Sequence, residues 1–234
     1  MITIWIIALN FVRQQRIVTY IFLAWILGFG LLFGVWGTAD ASDMLALFHQ
    51  QAAYGVVYTL FLAAASVHSE RQSRRILAVL SKGIHRYEYI AGLMLGSVLM
   101  TCLYMVTLGL VNAWFVLRHG LPLQLWTVLA AATLAAILIS SIATMFSTFA
   151  HPLVATIGTI IIAGLPAGLQ VWKGSTVSAL SPAAQVLEQI FNSNFVDGWT
   201  AGWDFVPVAV LQTLCFWGLA AIIFQRRDVT AAIE

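Results

Sequence analysis

Six segments of this chain, each at least 20 residues long, contain no aspartate, glutamate, lysine or arginine. They cover residues 17–36, 45–67, 90–117, 123–149, 153–172 and 205–224. A helix needs about 20 apolar residues to cross the ~30 Å hydrocarbon core of a bilayer. Helices are required because unpaired backbone groups are costly in lipid, and the alternating pattern of a membrane barrel is absent from the sequence. The segments therefore predict an all-α membrane protein with six transmembrane helices in one domain, residues 1–234.

The amino-acid composition also indicates that lipid, rather than water, surrounds most of this chain. Hydrophobic residues make up 61% of it and charged residues 9%, whereas soluble domains have roughly 45–50% and about 25%. The net charge of +2 is too small to indicate nucleic acid as a partner. We expect membrane lipid to cover most of the surface.

The distribution of lysine and arginine predicts the orientation. Nine of the eleven lie on one side of the predicted membrane if the chain crosses six times, namely Arg13, Arg16, Arg71, Arg74, Arg75, Lys82, Arg86, Arg226 and Arg227. Only Arg118 and Lys173 lie on the other side. Because these residues accumulate in cytoplasmic segments, we expect both termini to be cytoplasmic.

Residues 1–16 and the outer segment 173–204 do not fit a simple bundle. The first has the apolar residues of an amphipathic helix and predicts a helix lying in the cytoplasmic interface; an unstructured apolar leader is the alternative. In the second, Ser181 and Pro182 form a helix start, and residues 192–202 contain turn formers. This predicts a short, re-entrant-like outer helix before span six, with an ordinary surface loop as the alternative.

The cytoplasmic stretch 67–89 carries seven of the twenty charged residues of the chain. It is polar at first and apolar afterwards, and Ile76, Leu77 and Leu80 share one helical face. We expect a short helix on the membrane surface here, beginning at Glu70. The alternative is that these charges only set the orientation and hold anionic lipid headgroups.

Catalytic motifs are absent from the sequence. It contains no GxxxxGK[ST] loop, no HExxH, no GxSxG and no acidic pair within a span, so we predict that the chain is not an enzyme. The polar residues within spans include Asn112 and a stripe of Ser140, Thr144 and Ser147. Hydroxyl groups of this kind commonly hold helices together, and a passage for a bulky amphipathic molecule is the alternative. Close helix contacts are predicted by three pairs of glycines four residues apart, namely Gly30 and Gly34, Gly92 and Gly96, and Gly164 and Gly168.

The order of residues from Glu70 to Gly92 resembles the conserved cytoplasmic region of ATP-binding-cassette permeases of type 2, the membrane subunits of many bacterial exporters. The matching residues are Glu70, Leu77, Leu80, Ser81, Arg86 and Gly92. The sequence departs from the family pattern at Ser73-Arg74, Gly83 and Leu93. The similarity extends to the surface helix before span one, the six spans, the interrupted outer segment and the ending at residues 224–228.

The resemblance implies a transporter half in the cytoplasmic (inner) membrane of a bacterium. Two copies, as a homodimer or a heterodimer, would bind two cytoplasmic ATPase subunits, which hold ATP and magnesium; the chain itself would need no cofactor. The loop helix would be the coupling helix, with residues Glu70, Arg71, Arg74, Arg75, Leu77, Leu80, Ser81 and Arg86. Residues Pro182, Glu188 and Trp199 would belong to an outer gate.

The expected substrate is lipid-like, amphipathic or polymeric, because the spans are apolar and carry no charge. A non-transporting membrane module, which transmits ATPase motion to envelope partner proteins, is the alternative function. Both functions need the coupling helix, so the sequence leaves this choice open.

Overall fold

A computed structural model describes residues 2–36, 41–72, 76, 84–119, 125–173 and 205–226. Within these ranges the fold is all-helical, as predicted, and seven helices follow one another along the chain. They are α1 (Ile2–Gln14), α2 (Arg16–Trp36), α3 (Ala41–Gln72), α4 (Arg86–His119), α5 (Leu125–Ser147), α6 (Pro152–Lys173) and α7 (Phe205–Arg226).

Four stretches of the described helices are long and apolar enough to cross a membrane. They are Ala46–Gln72, Arg86–Trp114, Leu129–Ser147 and Val206–Arg226. The pair Ile2–Gln14 and Arg16–Leu32 also qualifies when its two parts are taken together, although it is bent by 64°, which raises the number to five. Pro152–Gly164, the first part of α6, is apolar but shorter than these stretches.

Each of the six predicted spans corresponds to one helix, from α2 to α7. The helices α3 and α4 exceed their predicted spans at both ends and contain 32 and 34 residues. At a rise of about 1.5 Å per residue they are roughly 48 and 51 Å long, well beyond the ~30 Å hydrocarbon core. Hydropathy marks where the apolar surface ends, whereas the backbone hydrogen bonds of a helix continue into polar sequence.

Helix α1 is confirmed as a helix and turns sharply into α2 at Gln15. It carries apolar side chains on two sides. Ile7, Ala8 and Phe11 are buried against the rest of the protein, while Ile2, Trp5, Ile6 and Leu9 are exposed. A helix that packs on the protein with one side and exposes apolar residues on another is suited to the edge of a membrane.

Gly92 and Gly96 allow α1 to lie directly against α4. A Cβ atom on Gly92 would be 2.6 Å from Cβ of Ile7, and one on Gly96 would be 2.7 Å from Cδ1 of Phe11 and 3.1 Å from the carbonyl oxygen of Ala8. Glycine is therefore required by the close approach of the two helices. The predicted close contact of Gly92 and Gly96 is confirmed, and its partner is α1. Gly30 also lies close to another helix, because a Cβ there would be 2.6 Å from Cγ1 of Val111 in α4. At Gly164 the prediction is wrong within the described residues, since a Cβ there would meet no atom within 4 Å.

Replacing Gly96 by leucine is expected to detach α1 from α4. The new side chain would occupy the space of Phe11 and the backbone of α1, and overpacking of this kind costs about 1–3 kcal/mol. The amide protons of residues 2–14 should exchange faster with deuterium, as measured by mass spectrometry. Gly28→Leu is the matched control, because a Cβ on Gly28 meets no atom within 4 Å. Equal exchange in the two variants would contradict this packing.

Helix α5 lies at the centre of the described bundle and contacts α3, α4, α6 and α7. Small side chains make up part of its buried surface, and the following are at most 2% exposed: Ala131, Ala132, Ala135, Ala136 and Ala143. Small residues let helix backbones approach closely, which provides van der Waals attraction where lipid removes most of the hydrophobic driving force.

Helices α2, α3 and α4 are joined by tyrosines. The hydroxyl groups of Thr19 and Tyr58 lie 3.0 Å apart, and the ring of Tyr58 stacks on Tyr104 with 5.7 Å between centroids. Tyr104 in turn donates a hydrogen bond to the carbonyl oxygen of Gln51, at 2.8 Å. These buried contacts fix the three helices to one another.

Candidate functional site

One end of the bundle gathers five charged residues, namely Glu70, Arg71, Arg86, Glu88 and Arg226. The last turns of α3, α5 and α7 and the first turns of α4 and α6 meet there. Contacts between side chains of different helices define this charged end, for example the ring contact between His68 and His151, whose centroids are 5.1 Å apart.

Glu70 is buried at this end and belongs to α3. The helix continues through Gln72, so the expectation that a separate helix begins at Glu70 is wrong. Its side chain is only 4% exposed, and Tyr89 of α4 donates a hydrogen bond of 2.8 Å to its Oε2 atom. A buried carboxylate requires such a partner, because leaving water is costly for a charge. The bond ties the end of α3 to the start of α4.

Arg71, the next residue, extends the connection to two more helix ends. Its guanidinium donates a hydrogen bond to the carbonyl oxygen of Thr148, which follows α5. The same group lies over the ring of Phe224 in α7, with 5.9 Å between Cζ and the centroid. We call Glu70, Arg71, Tyr89, Thr148 and Phe224 the Glu70 cluster. It joins α3, α4 and α7 to the residue that follows α5.

Two further contacts connect the start of α4 with the end of α7. Arg86 donates a hydrogen bond of 3.0 Å to the carbonyl oxygen of Gln225. The rings of Tyr89 and Phe224 are stacked, with centroids 6.3 Å apart. Cations near the C-terminus of a helix are favourable because the last carbonyl groups carry partial negative charge. Three predicted coupling residues, Glu70, Arg71 and Arg86, thus lie at one end of the bundle.

The remaining predicted coupling residues, Arg74, Arg75, Leu77, Leu80 and Ser81, lie outside the described residues. So do Pro182, Glu188 and Trp199, the predicted outer gate. Of the segment between α3 and α4 the structure describes Ile76, which is helical and 1% exposed, and residues 84–85 before α4. The predicted loop helix and the outer gate therefore stay predictions.

The polar stripe of α5 is buried within the chain. Ser140 donates to the carbonyl oxygen of Ile137, and Thr144 donates to that of Ser140. Ser147 instead crosses to α3 and accepts a hydrogen bond of 3.1 Å from the backbone N–H of Val67. These contacts agree with the packing role.

Asn112 is half-buried in α4 and donates a hydrogen bond of 2.7 Å to the carbonyl oxygen of Leu108, four residues earlier. This backward bond satisfies its amide within its own helix. The alternative role of Asn112 and the stripe, a passage for an amphipathic molecule, stays a prediction.

Sequence reasoning missed Tyr89, Thr148 and Phe224. Each comes from a different part of the chain, and only the folded helices bring them to Glu70 and Arg71. One local signal was present for Tyr89. It lies one helical turn after Arg86, at the charged end of an apolar helix, where a tyrosine places its hydroxyl in a polar layer and its ring in an apolar one.

Replacing Arg71 by alanine is expected to destabilise the folded chain by about 2 kcal/mol. The change removes a charged hydrogen bond, of about 1.5–3 kcal/mol, and a cation–π contact, of roughly 0.5–2 kcal/mol. Unfolding by denaturant in detergent measures the loss. Arg226→Ala is the matched control, since Arg226 is exposed at the same end. A loss no larger than in the control would show that Arg71 does not connect these helices.

Within the described ranges, no three side chains of histidine, cysteine, aspartate or glutamate come together in a way that could hold a metal ion. The chemistry of this end is that of charged hydrogen bonds between helix ends. Neither a scan against protein-family models nor a search of curated proteins finds a match to this chain.

Proposed function

We propose that this chain is the membrane-spanning subunit of an exporter driven by separate cytoplasmic ATPases, of the type-2 ATP-binding-cassette kind that its sequence resembles. Two copies, or this chain and a related one, would form the substrate pathway. ATP and magnesium would bind the two ATPase subunits. Lipid-like, amphipathic or polymeric molecules are the expected substrates.

The observation that carries the proposal is the Glu70 cluster. The segment 73–83 connects Gln72, the last residue of α3, to Ile84 before α4. At its first end, Glu70 and Arg71 are bonded to α4, to Thr148 and to α7. At its second end, Arg86 is bonded to α7. Both ends of the one highly charged loop are thus fixed to the same group of helix ends.

This arrangement suits the transmission of movement. If the loop were attached to only one helix end, a force on the loop would unwind that end. Here the hydrogen bonds distribute a force on the segment over α3, α4, α7 and the residue that follows α5. Small displacements at a site become rigid-body movements when packed elements move together. A docked ATPase could therefore tilt or rotate several helices at once.

The proposed topology has α2 to α7 as the six spans, with α1 in the cytoplasmic interface and the Glu70 cluster facing the cytoplasm. The exposed apolar residues of α1 and its 64° bend to α2 support this. The excess of lysine and arginine on one side supports the orientation. The inner membrane of a bacterium is the proposed location.

Photo-crosslinking tests the proposal in native membranes. Leu80 is replaced by a photoreactive phenylalanine analogue, because Leu80 is predicted to pack against the ATPase. We expect irradiation to join it to a cytoplasmic protein with a GxxxxGK[ST] loop. The same replacement at His119, at the opposite end of α4, is the matched control and should give no such product.

Two outcomes would contradict the proposal. Position 80 could crosslink only to lipid or to a protein without a nucleotide-binding loop, or positions 80 and 119 could give the same product. If the ATPase is found, its ATP hydrolysis is measured in vesicles. Stimulation by a transported substrate supports an exporter, whereas stimulation only by an envelope protein would replace it with the force-transmitting module.

A further inference from the structure

Two arginines flank the bend between α1 and α2. Arg13 lies in the last turn of α1, and Arg16 is the first residue of α2. The two helices meet at 64°, on either side of Gln15. Both arginines are exposed, and within the described part of the chain neither forms a hydrogen bond, an ion pair or a ring contact. Their guanidinium groups are therefore open to a ligand from outside the protein.

An exposed apolar row on α1 leads to Arg13. The row consists of Ile2, Ile6 and Leu9, which are 79%, 59% and 47% exposed. Residues three or four positions apart lie on the same side of a helix, so Arg13, which follows Leu9 by one turn, continues this row. An apolar row that ends in a cation matches a phospholipid, whose acyl chains and charged headgroup adjoin in the same way.

The start of α2 adds a further donor and more apolar surface. Tyr20 lies one turn after Arg16, is 64% exposed, and its hydroxyl has no hydrogen-bond partner among the described residues. Ile17 and Ile21 beside them are 66% and 63% exposed. Neither α1 nor α2 contains an aspartate or a glutamate. The bend therefore presents two cations and a hydroxyl next to apolar side chains, which favours an amphipathic anion. Guanidinium groups bind phosphate oxygens through paired, charge-assisted hydrogen bonds.

We propose that the bend between α1 and α2 binds the headgroup of an anionic membrane phospholipid. Arg13 and Arg16 bind the phosphate oxygens, Tyr20 donates a further hydrogen bond, and the acyl chains lie along the exposed apolar residues of the two helices. The bound lipid holds the bend at the level of the cytoplasmic headgroups. This inference rests on the interfacial position of α1 in the proposed function and not on the ATPase.

Native mass spectrometry of the full chain in detergent tests the site. Phosphatidylglycerol and phosphatidylethanolamine with identical acyl chains are added in equal amounts; both contain a phosphate, but only the first has a net negative charge. The wild type should prefer phosphatidylglycerol, and Arg13→Gln and Arg16→Gln should each lower this preference about fivefold. Replacing both arginines by lysine keeps the charges and should keep a preference. Arg226→Gln, which changes an exposed arginine of α7 at the same end of the bundle, should leave it unchanged.

Equal retention of the two lipids by the wild type would overturn the proposal. An equal fall of the preference in Arg226→Gln and in the two variants at the bend would also overturn it, because the net charge of this end, and not a site, would then select the lipid. Displacement of the lipid by glycerol phosphate at the same concentration would overturn it in favour of a soluble anion. No ATPase is present in this assay, so its result is independent of the crosslinking experiment.

Discussion

Glu70→Lys is expected to destabilise the folded chain by about 3–5 kcal/mol, the usual cost of leaving a buried charge without its partner. The side chain is 4% exposed. An ammonium group in its place cannot accept the hydrogen bond of Tyr89. The change therefore removes a bond between α3 and α4 and leaves a buried charge without its partner.

Glu88→Lys is the matched control for this prediction. Glu88 is half-buried in the first turn of α4, where a negative charge contributes about 0.3–1 kcal/mol through the helix dipole. Unfolding of both variants by sodium dodecyl sulfate, followed by circular dichroism, gives the two free energies. Comparable losses would mean that the carboxylate of Glu70 does not hold the helix ends together.

Gly55→Leu is expected to cost about 1–3 kcal/mol by overpacking, and more if Tyr104 is displaced. A Cβ atom at position 55 would lie 2.8 Å from Cδ1 of Tyr104 and 3.0 Å from Cε of Met105. An aromatic ring held between two helices cannot move by the small shift that a flexible side chain allows. Displacing it would also break its hydrogen bond to Gln51, of about 0.5–1.5 kcal/mol.

Gly218→Leu in α7 separates this steric effect from the general effect of replacing glycine in a helix. A Cβ at position 218 meets no atom within 4 Å, and leucine is the better helix former. The thermal transition of the control should remain or rise, while that of Gly55→Leu falls. A common shift in the two variants would argue against the close contact between α3 and α4.

The helices of this fold could be predicted because each apolar run is as long as a membrane helix. The bounds of α2 and α6 differ by at most one residue from the predicted spans, since these runs end where the helices end. The bounds of α3 and α4 differ more, because their ends continue as helix through polar residues. Hydropathy could not show where those helices stop.

The Glu70 cluster could be predicted only in part. The sequence singled out Glu70, Arg71 and Arg86 as charged residues of one loop, but it placed Glu70 at the start of a separate helix. A charged residue in a sequence usually indicates a position exposed to solvent. The partner that allows the carboxylate of Glu70 to be buried is Tyr89, which lies 19 residues away. Tertiary contacts of this kind have no local signature.

The sequence also could not identify the helix that contacts Gly92 and Gly96. Small residues four apart indicate that another backbone comes close, but they do not identify it. The side of α1 that carries Ile7 and Phe11 fits these glycines. The amphipathic pattern of α1 alone indicated only a helix at an interface.

The rate of ATP hydrolysis in the purified complex, reconstituted in vesicles, tests the central claim most directly. Tyr89→Phe keeps the ring stacked on Phe224 and removes the bond to Glu70. Tyr87→Phe is the matched control, because Tyr87 is exposed and stacks on His85. If the Glu70 cluster transmits movement, Tyr89→Phe should assemble normally but lower substrate-stimulated hydrolysis by about fivefold or more, while Tyr87→Phe keeps the wild-type rate. Wild-type hydrolysis in Tyr89→Phe, or a purified chain with no associated ATPase, would contradict it.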